Sequence, residues 1–142
     1  MIFINSQLTG NANFEKKMKK DISNRDDVMV LVNSFYNHVK RDKLLAPIFN
    51  DIAKVNWNSH LPKMYDFWEN VIFHTGSYHG NTLKVHLNLN ELMPLSEDHF
   101  EHWLLLFKIT AKELFEGPNT QMAINKAESI ATVIKIKLIQ RK

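Results

Sequence analysis

Apolar residues recur every three or four positions along most of the chain, a spacing that aligns side chains on one face of an α-helix. The first stripe of this kind begins at Val28 and ends at Val39. It follows Ser23-Asn24-Arg25-Asp26, a serine-to-acid pattern that is typical of a helix start. The sequence therefore predicts a first helix that ends near Lys40.

A second stripe extends from Trp57 to Ile72 and contains Pro62. Proline is tolerated in the first turn of a helix, where its missing N–H is not needed for a hydrogen bond. This helix is therefore expected to begin near Ser59. Before it, residues 44–49 form a short apolar segment that contains a proline suited to a first helical turn.

A short helix is predicted for residues 82–89, with Leu83, His86 and Leu87 on one face and Pro94 beyond its end. An imidazole in an apolar stripe needs a partner, because burying an unpaired polar group is costly. It is either a core histidine bonded to a backbone carbonyl or a metal ligand whose second nitrogen is held by such a carbonyl. The pattern of these residues leaves both interpretations open.

Two longer helices complete the predicted set. Ser96 is placed to cap the first of them, and Gly117-Pro118 marks its end. The last stripe spans residues 123–138. Because no segment alternates with a period of two, the predicted fold class is all-α.

Composition narrows the class of protein. The 142 residues suffice for one domain, with 44% hydrophobic and 23% charged residues. The absence of cysteine excludes disulfides and thiolate metal sites and favours a reducing compartment. A net charge of +3 is only mildly basic, and no nucleic-acid recognition motif accompanies it. With neither a secretory signal nor a membrane-spanning stretch, the sequence predicts a cytoplasmic protein that binds neither nucleic acid nor membrane.

The N-terminal segment differs from the rest of the chain. Residues 1–20 are polar and show no apolar period, so we expect a mobile extension followed by one domain at residues 21–142. The basic run Lys16-Lys17-Met18-Lys19-Lys20 lies in this extension and is expected to be solvated.

Four helical stripes each bring a polar ring to the buried side, and these rings belong to Tyr36, His60, His86 and Trp103. Each ring has a core-packing alternative, since such side chains often bury the ring and hydrogen-bond the polar tip. Taken together, one imidazole facing phenol, imidazole and indole donors in an aromatic pocket is typical of a haem site.

Six motifs carry a resemblance to a known family, and they occur in its order and at its separations. They are Phe35-Tyr36, Ala46-Pro47-Ile48-Phe49, Trp57-x-x-His60, Phe67-Trp68, Gly80-x-x-Leu83-Lys84-x-His86-Leu87 and Phe100-Glu101-x-Trp103-Leu104-x-Leu106-Phe107. No single motif is decisive, but the ordered set resembles the truncated haemoglobins of group III. The resemblance covers residues 21–140.

The resemblance implies a truncated globin fold, in which two helices pack over two with haem b (iron protoporphyrin IX) between them. By position, His86 is similar to the proximal iron ligand of the family, and Phe49 to the ring that packs on the haem. Tyr36 and Trp103 resemble the distal hydrogen-bonding pair, and His60 resembles the distal histidine at the pocket entrance.

Three more residues are expected to contact the cofactor. Met64 and Phe67 lie on the same helical face as His60. Lys84 is the favoured partner of a haem propionate, with His79 and Lys63 in segments near the same rim.

These expectations favour a haem protein that binds oxygen and other diatomic ligands such as nitric oxide. Two hydrogen-bond donors to the bound ligand would make its release slow, which suits redox or detoxification chemistry better than transport. Activity of the nitric oxide dioxygenase or peroxidase type would need an external reductase, since the sequence has no dinucleotide-binding fingerprint.

A second class of protein stays open at this point. His99 and His102 are three residues apart on a predicted helix and could chelate zinc. The alternative is therefore an all-α metal-binding or interaction domain without haem.

Overall fold

The computed structural model describes residues 19–92 and 94–140, and every regular element in these two ranges is helical. The elements are α1 (Arg25–Arg41), a π-helical turn (Ile48–Ile52), α2 (Trp57–Phe73), α3 (Thr82–Leu92), α4 (Glu97–Leu114) and α5 (Pro118–Gln140). The prediction of an all-α fold is confirmed. Most of the predicted extension, residues 1–18, lies outside the described residues, as does the side chain of Leu83.

The start of α1 is set by Asn24, whose side-chain oxygen accepts a hydrogen bond from the N–H of Asp27 at 2.9 Å. The cap therefore follows Ser23 by one residue, and the serine instead bonds the Asp27 carboxylate. The predicted end near Lys40 differs from the observed end at Arg41 by one residue. Local sequence signals thus place this helix well.

Helix α2 begins two residues earlier than predicted. The side chain of Asn56 accepts a hydrogen bond from the N–H of Asn58 at 3.1 Å and so caps a helix that starts at Trp57. Pro62 consequently lies in the second turn and not in the first. Its missing N–H leaves the carbonyl of Asn58 without the usual donor four residues on.

The helices form two layers around one core. Helices α1 and α2 pack against each other, and so do α4 and α5, while α1 rests on α4 and α2 on α5. Helix α3 packs on α5. Across the layers, His38 Nδ1 lies 2.8 Å from the hydroxyl of Thr110, which itself donates to the carbonyl of Leu106. None of the described helices is long and apolar enough to cross a membrane.

The segment before α1 is tied to the far end of the chain. The Asp21 carboxylate accepts hydrogen bonds from the backbone N–H groups of Asn119 and Thr120, at 2.9 and 2.8 Å. These are orphan donors in the first turn of α5, so a residue far away in sequence caps this helix. Ile22 next to it is fully buried.

The connection between α1 and the π-helical turn is held by Asp42. Its Oδ2 atom accepts hydrogen bonds from the N–H groups of Leu44 and Leu45, at 3.1 and 2.9 Å. Its Oδ1 atom bonds Nε2 of His102 on α4. The same carboxylate therefore shapes the turn and fixes it against α4.

Candidate functional site

A cavity of about 670 Å³ lies between the two layers, and all five α-helices and the π-helical turn contribute to its wall. This volume falls within the roughly 300–1,000 Å³ that cofactor and ligand sites occupy. The structure brings seven of the predicted site residues into the wall: Tyr36, Phe49, His60, Met64, Phe67, His86 and Trp103. Lys84 is exposed and is not part of the wall.

Two of the polar rings in the cavity are hydrogen-bonded to each other. Tyr36 is buried in α1, and its hydroxyl lies 3.2 Å from Nε2 of His60 in the first turns of α2. Both rings line the cavity, so their shared hydrogen bond faces its interior. The observed helix start at Trp57 places His60 one turn into α2.

The protonation states of this pair follow from their burial. Desolvation of the phenol raises the pKa of Tyr36 far above its ordinary value of 10.0, so the hydroxyl keeps its proton. Burial, and the nearby charge of Lys63, lower the pKa of His60 below 6.5. At neutral pH the pair therefore consists of two uncharged groups with hydrogens to donate.

Aromatic rings hold Tyr36 in place. The ring centroids of Phe49 and Trp57 lie 5.9 and 5.3 Å from that of Tyr36, and both contacts are edge-to-face. Phe49 and Trp57 stack on each other, and the ammonium group of Lys40 lies 4.4 Å from a ring centroid of Trp57. Trp57 was not among the predicted site residues. It does not line the cavity, but it packs against the ring of Tyr36 from behind.

The indole of Trp103 reaches the cavity from α4. It stacks on Phe107, one turn further along the helix, and its edge-to-face contact with Phe35 joins it to α1. No hydrogen bond is formed by its N–H with any residue in ranges 19–92 and 94–140. The indole is therefore held by ring packing, and its donor remains available to a ligand.

His86 comes from α3, the short helix that carries none of the three rings described above. Its side chain is half-buried and lines the cavity. Helix α3 is capped by Asn81, whose side-chain oxygen accepts from the N–H of Lys84 at 3.0 Å. The cap aligns the first turn that precedes His86.

The loop before α3 closes one side of the cavity. The ring of Tyr78 packs edge-to-face on Phe67 at 5.0 Å, and its hydroxyl lies directly over Gly80, where a Cβ atom would collide with it. His79, in the same loop, is exposed and lines the cavity, as does Lys63 of α2. Cationic and hydrogen-bonding groups thus stand at this edge.

His99 and His102 do not act as a pair. The ring of His102 bonds the Asp42 carboxylate, whereas Nδ1 of His99 accepts from the N–H of Ser96 at 3.0 Å. In the described part of the chain, no group of three or more histidine and carboxylate side chains is arranged to hold a metal ion. The alternative of a zinc site at these two residues therefore finds no support.

The wall also contains residues that the sequence analysis did not predict as site residues, among them Trp68 and His99. Trp68, on α2, was recognised only as part of a motif, because its position in the apolar stripe is that of any core residue. His99 was considered only as a partner of His102. His99 lies three residues after Ser96, which is the spacing of a capping box. This spacing could have shown that His99 has a different role from His102.

An all-helical, two-layer fold around a cavity with one half-buried imidazole and a set of phenol, imidazole and indole donors is that of a globin. No protein-family model matches the chain. It is similar to the curated Group 3 truncated hemoglobin ctb of Campylobacter jejuni, with 31% identity over 118 residues, which cover 81% of this chain and 91% of that protein.

The crystal structure of the group III truncated haemoglobin from Campylobacter jejuni superposes with a TM-score of 0.74 and 31% identity. The match covers 85% of this chain and 95% of that one. The chain belongs to the group III truncated haemoglobins. The family and the fold implied by the sequence motifs are thereby confirmed.

Proposed function

We propose that the protein holds haem b in the 670 Å³ cavity and binds diatomic ligands there for redox or detoxification chemistry. The observation that carries the proposal is the convergence of His86 with Tyr36, His60 and Trp103, each from a different helix, on one cavity. If His60 and His86 were only core histidines, nothing would require them to line the same cavity as the phenol and the indole.

The residues of the cavity suit this cofactor. Most of the wall is aliphatic or aromatic, as a porphyrin face requires, and one imidazole from α3 can supply the lone pair that iron needs. Bound there, the haem would supply an iron atom able to bind oxygen or nitric oxide. Phe49, Met64 and Phe67 are the side chains that would pack on its faces.

The haem propionates would be bound where the wall carries cations. Lys63 and His79 line the cavity, and Lys84 lies one residue from Val85, which also lines it. Lys84 stays the favoured residue of the sequence analysis, although its exposure limits the strength of an ion pair. The rates of haem loss from Lys84→Ala and Lys63→Ala would show which lysine binds a propionate, since replacing a lysine that does not bind one should leave the rate unchanged.

The distal donors determine how long a ligand stays. Each hydrogen bond to a charged or strongly polarised acceptor adds about 1.5–3 kcal/mol, or roughly ten- to a hundredfold in dissociation rate. Tyr36 and Trp103 together would make release very slow. A protein that scarcely releases oxygen is suited to consuming it, in reaction with nitric oxide or with peroxide.

Electrons for such chemistry would come from an external reductase, because the chain carries no recognised flavin or nicotinamide motif. The absence of cysteine supports activity in a reducing compartment such as the cytoplasm. Consumption of nitric oxide by the oxygenated protein, followed by stopped flow, would test the reaction. A protein that reacted no faster than free haem would contradict a role in detoxification.

The haem assignment is tested by His86→Ala. Removing the only proposed proximal lone pair should abolish the Soret band or weaken haem binding strongly, and free imidazole should restore it. His74→Ala is a matched control, because this histidine is exposed and does not line the cavity. A normal spectrum of His86→Ala without imidazole would refute the assignment.

A further inference from the structure

His99 is a buried imidazole that the proposed function does not yet use. It lies in the first turn of α4, its side chain is only 9% exposed, and it lines the cavity. Trp103 follows it by four residues, so the two rings share one face of the helix. His99 follows the segment that joins α3 to α4.

One nitrogen of this ring is already engaged. Nδ1 accepts a hydrogen bond from the backbone N–H of Ser96 at 3.0 Å, which is the role that Glu or Gln fills in a capping box. An imidazole that accepts at Nδ1 carries its proton on Nε2 when neutral. The hydrogen bond to Ser96 therefore fixes His99 as a donor, and Nε2 lies on the ring edge turned away from the cap.

The Nε2–H donor has no partner within residues 19–92 and 94–140. Among the described residues, no side-chain nitrogen or oxygen is both fully buried and without a partner, so Nε2 of His99 is an accessible atom. Because the residue is nine-tenths buried and lines the cavity, we expect this nitrogen to face the cavity and to find its acceptor in what the cavity holds.

The edge of iron protoporphyrin IX carries methyl, vinyl and propionate groups, and only the propionates accept strong hydrogen bonds. The first turn of the 18-residue helix α4 adds a partial positive charge that favours a carboxylate. We propose that His99 binds a haem propionate through Nε2–H. This inference rests on the proposed function, because it requires haem in the cavity.

His99 would differ from Lys63 and His79 in how it binds a carboxylate. Lys63 and His79 are exposed, and salt screens the charge of the lysine. His99 would donate its hydrogen bond from a buried place, so its contribution should persist at high ionic strength. The same ring joins the helix cap to the cofactor.

The experiment compares the rate of haem loss to an excess of apomyoglobin for two cofactors, iron protoporphyrin IX and its dimethyl ester. His99→Leu removes both the donor and the bond to Ser96. With the natural haem, we expect loss to accelerate by about tenfold or more. With the ester, which lacks the charged carboxylates, the acceleration should be several times smaller. Dividing the acceleration with natural haem by the acceleration with the ester removes the effect of the lost cap, because that effect is the same for both cofactors.

His99→Gln serves where the leucine variant folds poorly. Glutamine can keep the bond to Ser96 through its amide oxygen, as in a common capping box, and replaces the ring N–H by an amide NH2 group on a flexible side chain. It should give a smaller difference between the two cofactors in the same direction, with less change in the melting temperature of the haem-free protein. His74→Asn changes an exposed histidine outside the cavity to a residue that also tolerates its left-handed backbone, and should leave both rates unchanged.

Equal acceleration with both cofactors would show that His99 acts only as a helix cap, and would overturn the proposal. Unchanged rates in both variants would overturn it as well. A wild-type protein that gave no Soret band with either cofactor would overturn the proposed function itself, and that result is distinct from the other two.

Discussion

Tyr36 combines a buried ring with a hydroxyl 3.2 Å from Nε2 of His60. Since burial raises the pKa of Tyr36 and lowers that of His60, both side chains stay neutral at physiological pH. When His60 donates its Nε2–H to the phenol oxygen, the hydroxyl hydrogen of Tyr36 is released for a ligand. The imidazole can thus orient the phenol in addition to standing at the pocket entrance.

Replacing Tyr36 by phenylalanine tests the first donor. The ring contacts with Phe49 and Trp57 survive, so the pocket should keep its shape. Oxygen dissociation should become faster by about tenfold or more, because one hydrogen bond to the ligand is lost. Stopped-flow displacement of oxygen measures the rate. Tyr65→Phe, whose hydroxyl bonds Asn33 away from the cavity, is the control and should release oxygen at the wild-type rate.

Trp103→Phe should accelerate oxygen dissociation in the same direction. The double variant with Tyr36→Phe should deviate from additivity if both donors bond one ligand atom. The deviation is obtained from the four dissociation rates of the cycle. Strict additivity would indicate that the two donors act independently.

His60→Ala is expected to change the association rate more than the dissociation rate, since we assign this residue chiefly to the pocket entrance. Flash photolysis of the carbon monoxide complex measures association, and the oxygen displacement experiment measures dissociation. A large dissociation effect in His60→Ala, with none in Tyr36→Phe, would overturn this division of roles.

The residues of the site were predictable to different degrees. Periodicity placed Tyr36, His60 and Trp103 on buried faces, and a shared pocket was inferred from the set of polar rings taken together and from the ordered motifs. The bond between Tyr36 and His60 depends on the angle between α1 and α2, which no local pattern contains. The role of His99 depends on its rotamer, since the same spacing allowed a zinc ligand.

At the scale of helices, the N-terminus of α5 depends on Asp21, whose carboxylate caps it. Burial by itself would raise the pKa of this carboxyl group, but hydrogen bonds from Asn119 and Thr120 outweigh it and hold the pKa below the ordinary 3.8. The carboxylate stabilises the fold fully at a pH above that ordinary value. Its contribution is lost as the pH falls through the lowered pKa of the folded state.

Asp21→Ala should therefore reduce the free energy of unfolding at pH 7 by roughly 0.5–2 kcal/mol, the usual range when alanine replaces a capping residue. Urea denaturation at pH 7 and at successively lower pH measures the effect. The difference between wild type and variant should shrink as the pH falls below 3.8, where the wild-type carboxylate becomes protonated. Glu113→Gln, an exposed carboxylate on α4, should leave stability at pH 7 nearly unchanged.

The helices themselves were largely predictable, because their apolar stripes are long and regular. Boundaries near Asn24 and Trp57 differed from the predicted ones by one or two residues, where a neighbouring asparagine competed for the cap. The π-helical form of Ile48–Ile52 was not predicted, since five residues are too few to distinguish one helical period from another. The cap of α5 joins residues almost a hundred positions apart and has no local signal.

At the scale of the whole molecule, the described residues just before α1 are attached to the rest of the fold. Lys19 donates to the carbonyl of Lys112, and the carbonyl of Lys20 accepts from the N–H of Glu116. Ile22 is fully buried. These contacts attach the segment just before α1 to the ends of α4 and α5.

A protein that starts at Lys19 should consequently fold and bind haem as well as the full chain does. One that starts at Ser23 lacks both the Asp21 cap and the buried side chain of Ile22, and should lose several kcal/mol of stability. Thermal unfolding of the three proteins, followed by circular dichroism, provides the comparison. A marked decrease in melting temperature for the protein that starts at Lys19 would show that residues 1–18 contribute to the fold.

All three tryptophans of the chain belong to the wall of the cavity or to the rings directly behind it. Trp68 and Trp103 line the cavity, and Trp57 lies 5.3 Å from Tyr36 between ring centroids. Any haem in the cavity would be close enough to all of them to accept their excitation energy. The intrinsic tryptophan fluorescence of this protein should accordingly be strongly quenched when haem is bound and should increase when haem dissociates. An optical readout of occupancy is thus built into the chain without any added label.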